Sequence, residues 1–163
     1  MSNPLAGFGL SEKSKSEIHK IRDEYPDPQS AVLPALALAQ RDYGGWLPKA
    51  ALDEVAAVLN LPATQVAATA TFYTMFHKQP VGRHVIWVCT NIACSLLGAE
   101  HLIAHLSRKL GIAVGETTPD GRVTLLEAEC LGSCGTAPVM QVDDAYYENL
   151  TEAKIDQILA SLE

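Results

Sequence analysis

The four cysteines constrain this chain more than any other feature of its sequence. Cys89 and Cys94 are separated by four residues, and Cys130 and Cys134 by three. The two pairs are thirty-five residues apart, and the 163-residue chain contains no other cysteine. Two close pairs without a spare thiol predict that two distant segments meet at one site with four sulfur ligands.

Four kinds of sulfur chemistry compete for this pattern. Zinc sites usually take C-x2-C pairs or similar close knuckles, and spacings of four and three residues fit them poorly. A redox dithiol needs C-x-x-C at the start of a helix, and the chain holds no such pair. Structural disulfides are disfavoured in a reducing compartment. A [2Fe-2S] cluster binds four cysteine thiolates and is wider than one ion, so we favour a cluster over the other three.

The start of the chain indicates the compartment. Residues 1–8 contain neither a basic segment nor a long apolar run, so they do not read as a secretory signal. No stretch of the chain approaches the roughly 18–20 apolar residues of a membrane span. We therefore expect a cytoplasmic protein, in which thiols stay reduced and are free to bind metal.

Charge excludes two classes of partner. The formal net charge is −7, which argues against binding to nucleic acid or to an anionic membrane. Residues 81–163 hold 5 Lys and Arg against 11 Asp and Glu, so the cysteine-bearing half is the acidic one. The segment 63–70 lacks the cationic side chains that a DNA recognition helix needs.

The chain divides into a flexible start over residues 1–12, a helical domain over 13–80 and a second domain over 81–163. Helices are predicted in the first domain at about 14–25, 30–43, 48–59 and 63–75, from apolar periodicity and from breaks at proline and glycine. The aromatic block 72–76 is expected to pack in a core or to face a partner subunit. The boundary is expected at residues 80–82, where the apolar period changes.

The second domain has the element order of a thioredoxin-like fold. Strands are predicted at 84–88, 122–128, 139–142 and 146–150, with helices over 95–110 and from Thr151 onward. A loop at 130–138 takes the place of the second helix, and we predict a cis Ala137–Pro138 bond there. The fold class is therefore α/β and α+β, with an N-terminal helical bundle followed by a thioredoxin-like domain.

The surroundings of the cysteines favour thiolate binding. Cys94 is predicted at the start of a helix, where free N–H groups stabilise negative charge. Gly132, Ser133 and Gly135 can turn backbone N–H groups onto the sulfurs. The alternative is that the glycines only form a tight turn and that Ser133 has no part in the site.

The sequence resembles the E-type [2Fe-2S] subunit family of NADH:quinone oxidoreductase, respiratory complex I, over about residues 25–163. The resemblance is carried by stretches that include all four cysteines: Ala70-Thr71-Phe72-Tyr73, Val88-Cys89-Thr90-Asn91, Thr117-Thr118-Pro119-Asp120-Gly121, Glu129-Cys130-Leu131-Gly132-Ser133-Cys134 and Ala137-Pro138-Val139-Met140. Homologous subunits occur in NAD-linked hydrogenases and formate dehydrogenases. A free-standing ferredoxin-like carrier and a zinc-bound interaction module remain alternatives.

The resemblance implies a thioredoxin-like [2Fe-2S] ferredoxin domain behind the helical bundle, with a specific role and specific partners. It implies that Cys89 and Cys94 bind one iron of a [2Fe-2S] cluster and that Cys130 and Cys134 bind the other. It implies a partner subunit that carries FMN, an NADH site and a [4Fe-4S] cluster, with further iron–sulfur subunits in the same peripheral arm. The complex would lie on the inner face of a bacterial membrane, and this cluster would store single electrons near the flavin.

The chain is not expected to oxidise NADH by itself. A nicotinamide site usually needs a glycine-rich turn between a strand and a helix. Gly7 and Gly9 have no third glycine at the required spacing, and Gly44 and Gly45 are better explained as a helix end. We therefore predict a subunit of an oxidoreductase whose hydride chemistry takes place on another chain.

Overall fold

The computed structural model describes residues 9–162, which form two compact units that divide between Pro80 and Val81. The first unit is helical throughout its regular structure. It contains α1 (Glu12–Asp23), a 3₁₀ turn (Pro28–Ala31), α2 (Val32–Asp42), α3 (Lys49–Leu59) and α4 (Ala63–Phe72). The four helices lie close to their predicted positions.

The ends of these helices follow from local chemistry. α1 begins two residues earlier than predicted, because the Ser11 hydroxyl caps it by accepting a hydrogen bond from the Ser14 N–H at 3.1 Å. Leu10 is buried, and its N–H donates to Glu54 Oε2 at 2.8 Å. Of the flexible start predicted over 1–12, residues 1–8 lie outside the described part of the chain. α3 ends at Leu59, because the next residue, Asn60, has a left-handed φ of 54° that stops the helix.

One apolar core holds the first unit together, and the aromatic block contributes little to it. Phe76 is buried, but Phe72 is 78% exposed, and Tyr73 and Met75 are exposed as well. Thr74 is exposed too, so the expectation of core packing was wrong for four of the five members of this block. Burial beside Glu54 raises the pKa of the core Tyr43 to about 12.

The second unit is built on one mixed sheet of four strands with the order β2-β1-β3-β4. The strands are β1 (His84–Cys89), β2 (Val123–Ala128), β3 (Met140–Val142) and β4 (Ala145–Tyr147). The helices are α5 (Ile92–Leu96), α6 (Ala99–Leu110) and α7 (Glu152–Ser161), with a 3₁₀ turn at Cys134–Thr136. The order strand, helix, strand, hairpin, helix is the predicted one.

The central strand β1 fixes this arrangement. It pairs in parallel with β2, with Cys89 opposite Ala128, and antiparallel with β3. A parallel pair needs a crossover, which α5 and α6 supply. Ile86 of β1 and Leu125 of β2 are fully buried, so the sheet packs through an apolar face.

Two predictions for the second unit were wrong in detail, and a third was confirmed. The helix predicted over 95–110 is divided, because α5 ends at Leu96 and Gly98 turns the chain with a φ of 90°. The fourth strand ends at Tyr147 rather than at residue 150. The Ala137–Pro138 bond is cis, as predicted.

None of the helices found between residues 9 and 162 is long and apolar enough to cross a membrane.

Candidate metal centre

The four cysteines meet at one edge of the sheet. Cys89 is the last residue of β1, and Cys130 lies two residues beyond the end of β2. Because these strands are parallel, their carboxyl ends lie side by side. Cys94 lies in α5, and Cys134 begins the 3₁₀ turn that follows β2. Both predicted pairs are thus carried to the same place by β1 and β2.

The sulfur atoms contact one another across the pairs as well as within them. The Cys89 thiol hydrogen-bonds with those of Cys94 and Cys130, and the Cys134 thiol with that of Cys130. All four are free thiols rather than disulfides. Within residues 9–162, no three His, Cys, Asp or Glu side chains are already arranged around a point that one metal ion could occupy. The thiols nevertheless form one connected group.

The two pairs differ in their exposure to solvent. Cys89 is 2% exposed and Cys94 is 1% exposed, in a small apolar cluster with Ala99 and Val139. Cys130 and Cys134 are exposed. The pair from β1 and α5 therefore faces the interior of the unit, and the pair from the loop after β2 faces outward.

Backbone N–H groups donate to the sulfurs, and Gly132 is the one among the three predicted donors for which such a bond is found. The Gly132 N–H donates to Cys130 Sγ at 3.3 Å, in a backbone conformation with φ 76° that favours glycine. The N–H groups of Asn91 and Leu131 donate to Cys89. Burial alone would raise the pKa of Cys89, but these donors and the neighbouring thiols leave it below its ordinary value.

The pKa values of Cys94 and Cys134 move in the opposite direction. Burial, reinforced by the hydrogen bond with Cys89, raises the pKa of Cys94 to about 11. The hydrogen bond with Cys130, together with its charge, raises the pKa of Cys134. Thiols this close resist losing several protons, since each thiolate disfavours the next. A metal cation bound among them would favour the deprotonated form of all four.

The helix that carries Cys94 is shorter than predicted. α5 has five residues, so its dipole is much smaller than that of the sixteen-residue helix predicted over 95–110. Individual N–H donors, including that of Val139 to Cys94, supply the stabilisation instead. Three large side chains of this segment are exposed beside the site: Ile92, Leu96 and Leu97.

Sequence reasoning missed a carboxylate that hydrogen-bonds to the loop bearing Cys130 and Cys134. Glu148, beyond β4, accepts hydrogen bonds from the hydroxyls of Ser133 and Thr136, the latter at 2.8 Å. These two bonds hold the pKa of Glu148 below its ordinary value. Ser133, which the sequence left open as a bystander, is therefore part of the site's support. No local pattern marks Glu148, since its partners lie 12 and 15 residues away.

Comparison with known proteins decides the family. The family described as thioredoxin-like [2Fe-2S] ferredoxin matches residues 18–163. This chain belongs to that family. The predicted thioredoxin-like fold and the predicted family resemblance are both confirmed.

Curated relatives match over nearly the whole chain. The chain is 48% identical over 147 residues to the second E-type subunit of NADH-quinone oxidoreductase of Rhizobium meliloti (strain 1021), covering 90% of this chain and 87% of that protein. It is 43% identical over 164 residues to the E-type subunit of NADH-quinone oxidoreductase of Rickettsia bellii (strain RML369-C), covering 99% and 98%. It is 40% identical to NADH dehydrogenase [ubiquinone] flavoprotein 2, mitochondrial, of Dictyostelium discoideum, covering 97% of this chain and 65% of that protein.

Solved structures of a hydrogenase share the fold. A chain of an NAD⁺-reducing [NiFe]-hydrogenase in the H₂-reduced state aligns with a TM-score of 0.71 at 28% identity. The alignment covers 80% of this chain but 22% of the hydrogenase chain, so this chain spans about a fifth of that protein.

The residues present fit the cofactor that gives the family its name. Four free thiols form the donor set that a [2Fe-2S] cluster takes, and they come as two pairs for two irons. N–H donors to Cys89, Cys94 and Cys130 match the hydrogen bonds that stabilise anionic sulfur in such sites. The donor set and its surroundings therefore suit a cluster.

Proposed function

We propose that this chain is the [2Fe-2S] electron-transfer subunit of an NADH-quinone oxidoreductase. The observation that carries the proposal is the group of four free thiols at the carboxyl ends of β1 and β2. It occurs in a chain 48% identical to an E-type subunit of such an enzyme. The unit that begins at Val81 carries the site, and the helical unit over 13–80 precedes it.

The proposed ligands divide as the pairs do. Cys89 and Cys94 would bind one iron, and Cys130 and Cys134 the other. When bound, the cluster would accept and return single electrons. The apolar surroundings of the inner pair exclude water, and the N–H groups of Leu131, Gly132 and Val139 stabilise negative charge on the sulfurs. This chain's own contribution is therefore to hold, shield and electrostatically tune the site.

Hydride chemistry belongs on a partner in this proposal. A hydride delivers two electrons, whereas one [2Fe-2S] cluster accepts one, so a flavin subunit with the NADH site must stand between them. The exposed Cys130 and Cys134 give electrons a short route to the surface. The chain would sit in the peripheral arm, with other iron–sulfur subunits, on the cytoplasmic side of a bacterial membrane.

A second candidate has a specific observation behind it. The TM-score of 0.71 with an NAD⁺-reducing [NiFe]-hydrogenase chain supports the same electron-transfer role in a hydrogenase complex. Copurification of the tagged chain from its source cells distinguishes the two candidate complexes, because the large subunits that accompany the chain differ between them.

Metal analysis of the anaerobically purified chain is the direct test of the cofactor. We expect two irons and two sulfides per chain, visible absorption, and a spin signal after one-electron reduction. A colourless protein that contains zinc would establish the interaction module instead.

Replacing any one of the four cysteines by alanine should remove or destabilise the cluster, because no other thiol is available. Val88→Ala is the matched control for the buried Cys89 and Cys94, since Val88 is equally buried on β1 but bears no ligand atom. A cysteine variant that keeps full absorption and the reduced-state signal would exclude that residue as a ligand.

The location of the hydride chemistry has its own test. The cluster-loaded chain should not turn over NADH with an artificial electron acceptor, and addition of the flavin subunit should restore turnover. Steady NADH oxidation by the flavin-free chain would contradict this assignment.

A further inference from the structure

The loop from Cys130 to Thr136 is tied to the segment that leads from β4 into α7. The Ser133 hydroxyl donates to the Glu148 carboxylate. Thr136 Oγ1 lies 2.8 Å from Glu148 Oε1 and 2.8 Å from Ser133 Oγ. One carboxylate oxygen of Glu148 thus accepts hydrogen bonds from both hydroxyl groups, one on each side of Cys134.

Main-chain bonds extend this attachment beyond the side chains. The Asn149 N–H donates to the Thr136 carbonyl at 2.7 Å, and the Leu150 N–H to the Pro138 carbonyl at 3.0 Å. Leu150 is buried in the core of the unit. The segment that contains Glu148 is therefore held in place by the core, and through its hydrogen bonds it holds the loop in place as well.

We propose that Glu148 is the positioning residue that holds the outer cysteine pair in its binding geometry and, through its charge, lowers the reduction potential of the site. This inference rests on the proposed function, because only a redox cluster has a potential to tune. Cys130 and Cys134 are exposed and lack the apolar packing that fixes Cys89 and Cys94. Their positions depend on the backbone of their own loop, and that loop is held by its hydrogen bonds to Glu148.

The same attachment controls the donors that act on the sulfurs. Leu131 and Gly132, whose N–H groups reach Cys89 and Cys130, lie in the fastened loop. Such N–H···S bonds stabilise the more negative, reduced state and so raise the potential. Loosening the loop lengthens them and lowers the potential.

The charge of Glu148 acts with the opposite sign. An anion near the site disfavours the addition of an electron. Lys154 offsets part of this field, because its Nζ donates to the Glu148 carbonyl at 2.6 Å. The two roles of Glu148, fastening and charge, are therefore separable by the direction in which a substitution moves the potential.

The experiment compares three variants of the full chain with the cluster bound. Glu148→Gln removes the charge but keeps an acceptor oxygen, and should move the reduction potential upward with little change in cluster content. Ser133→Ala combined with Thr136→Val keeps the charge but removes the fastening, and should move the potential downward. The double variant should also lose its cluster to a chelator about fivefold faster. Glu100→Gln, an exposed carboxylate of α6 outside this network, should match the wild type.

Hydrogen exchange of the metal-free chain gives a readout that needs no cluster. The amides of Asn149 and Leu150, and those of the loop 131–136, should exchange faster in the double variant and keep wild-type rates in Glu148→Gln. Rates that do not change in the double variant would overturn the positioning role.

The outcomes separate this inference from the proposed function. A wild-type chain without iron and sulfide refutes the function, and the exchange comparison still decides whether Glu148 positions the loop. A loaded wild type whose potential, cluster retention and exchange are all matched by both variants refutes the inference alone.

Discussion

Gly82, two residues before β1, gives the sharpest test of how closely the segment leading into β1 packs against β2. A Cβ atom at this position would lie 2.9 Å from both the backbone C and the backbone N of Val123. Carbon atoms in good contact are about 3.5–4.0 Å apart, so the added methyl group would be too close by about 0.6 Å or more. The Gly82 N–H also donates to Thr124 Oγ1 at 2.6 Å, which holds the two segments together.

Two opposing effects set the change in folding free energy expected for Gly82→Ala. Alanine loses less backbone entropy on folding, which favours the folded state by about 0.4–1 kcal/mol. Overpacking a fitted contact costs about 1–3 kcal/mol, and here the obstructing atoms are strand backbone rather than a movable side chain. We expect a net loss of about 1–2 kcal/mol in the second unit.

The assay is hydrogen exchange with mass spectrometry on the full chain, comparing peptides from β1 and β2 with the wild type. A loss of this size makes amides that exchange through unfolding exchange roughly five- to thirty-fold faster. Peptides from α2 and α3, which belong to the other unit, serve as the internal reference. Gly135→Ala is the matched control, because a Cβ there meets nothing within 4 Å and keeps only the entropic benefit. Exchange in Gly82→Ala as slow as in the wild type would refute the reasoning.

Two further predictions concern stability. Leu125→Ala should destabilise the second unit by about 2–5 kcal/mol, because the Leu125 side chain is fully buried. Leu96 is 80% exposed, so Leu96→Ala should change the free energy of unfolding little. Urea titration of both variants, followed by hydrogen exchange, compares their free energies of unfolding. The pKa of Asp156 is lowered by hydrogen bonds from His105 and Lys109 on α6, so its contribution to stability is present above the ordinary carboxyl pKa and is lost as pH falls through the lowered value. Asp156→Asn should therefore lose less stability than the wild type on acidification, and equal acid sensitivity of the two proteins would contradict this.

Much of the fold could be predicted because local patterns decide it. The apolar run at 84–88 has no competing helical period, and it forms β1. Gly111 ends α6 with a φ of 69°, as a glycine after a periodic apolar stripe predicts. The cysteine pairs were found because thiols are rare, and their spacing limits what they bind.

The rest depended on contacts that no local pattern encodes. The apolar period runs unbroken through Leu96 and Leu102, so only Gly98 marks the division between α5 and α6. Hydrophobicity did not show that Phe72 would remain exposed, because exposure depends on what covers a residue rather than on its type. Glu148 reaches Ser133 only because β3 pairs with β1 and β4 folds back along β3.

The parallel pairing of β1 with β2 also fixes an order of events in the making of this protein. Cys89 and Cys130 become neighbours only after the intervening crossover has formed and the two strands are in register. Before that, the closure entropy of this long loop keeps the pairs apart. In the proposed function, the centre would be filled as the sheet forms or after it, and a filled centre would stabilise the folded chain by mass action. A chain whose strands have not yet paired would hold its four thiols unassembled and open to oxidation, so strand pairing would also protect the ligands of the centre.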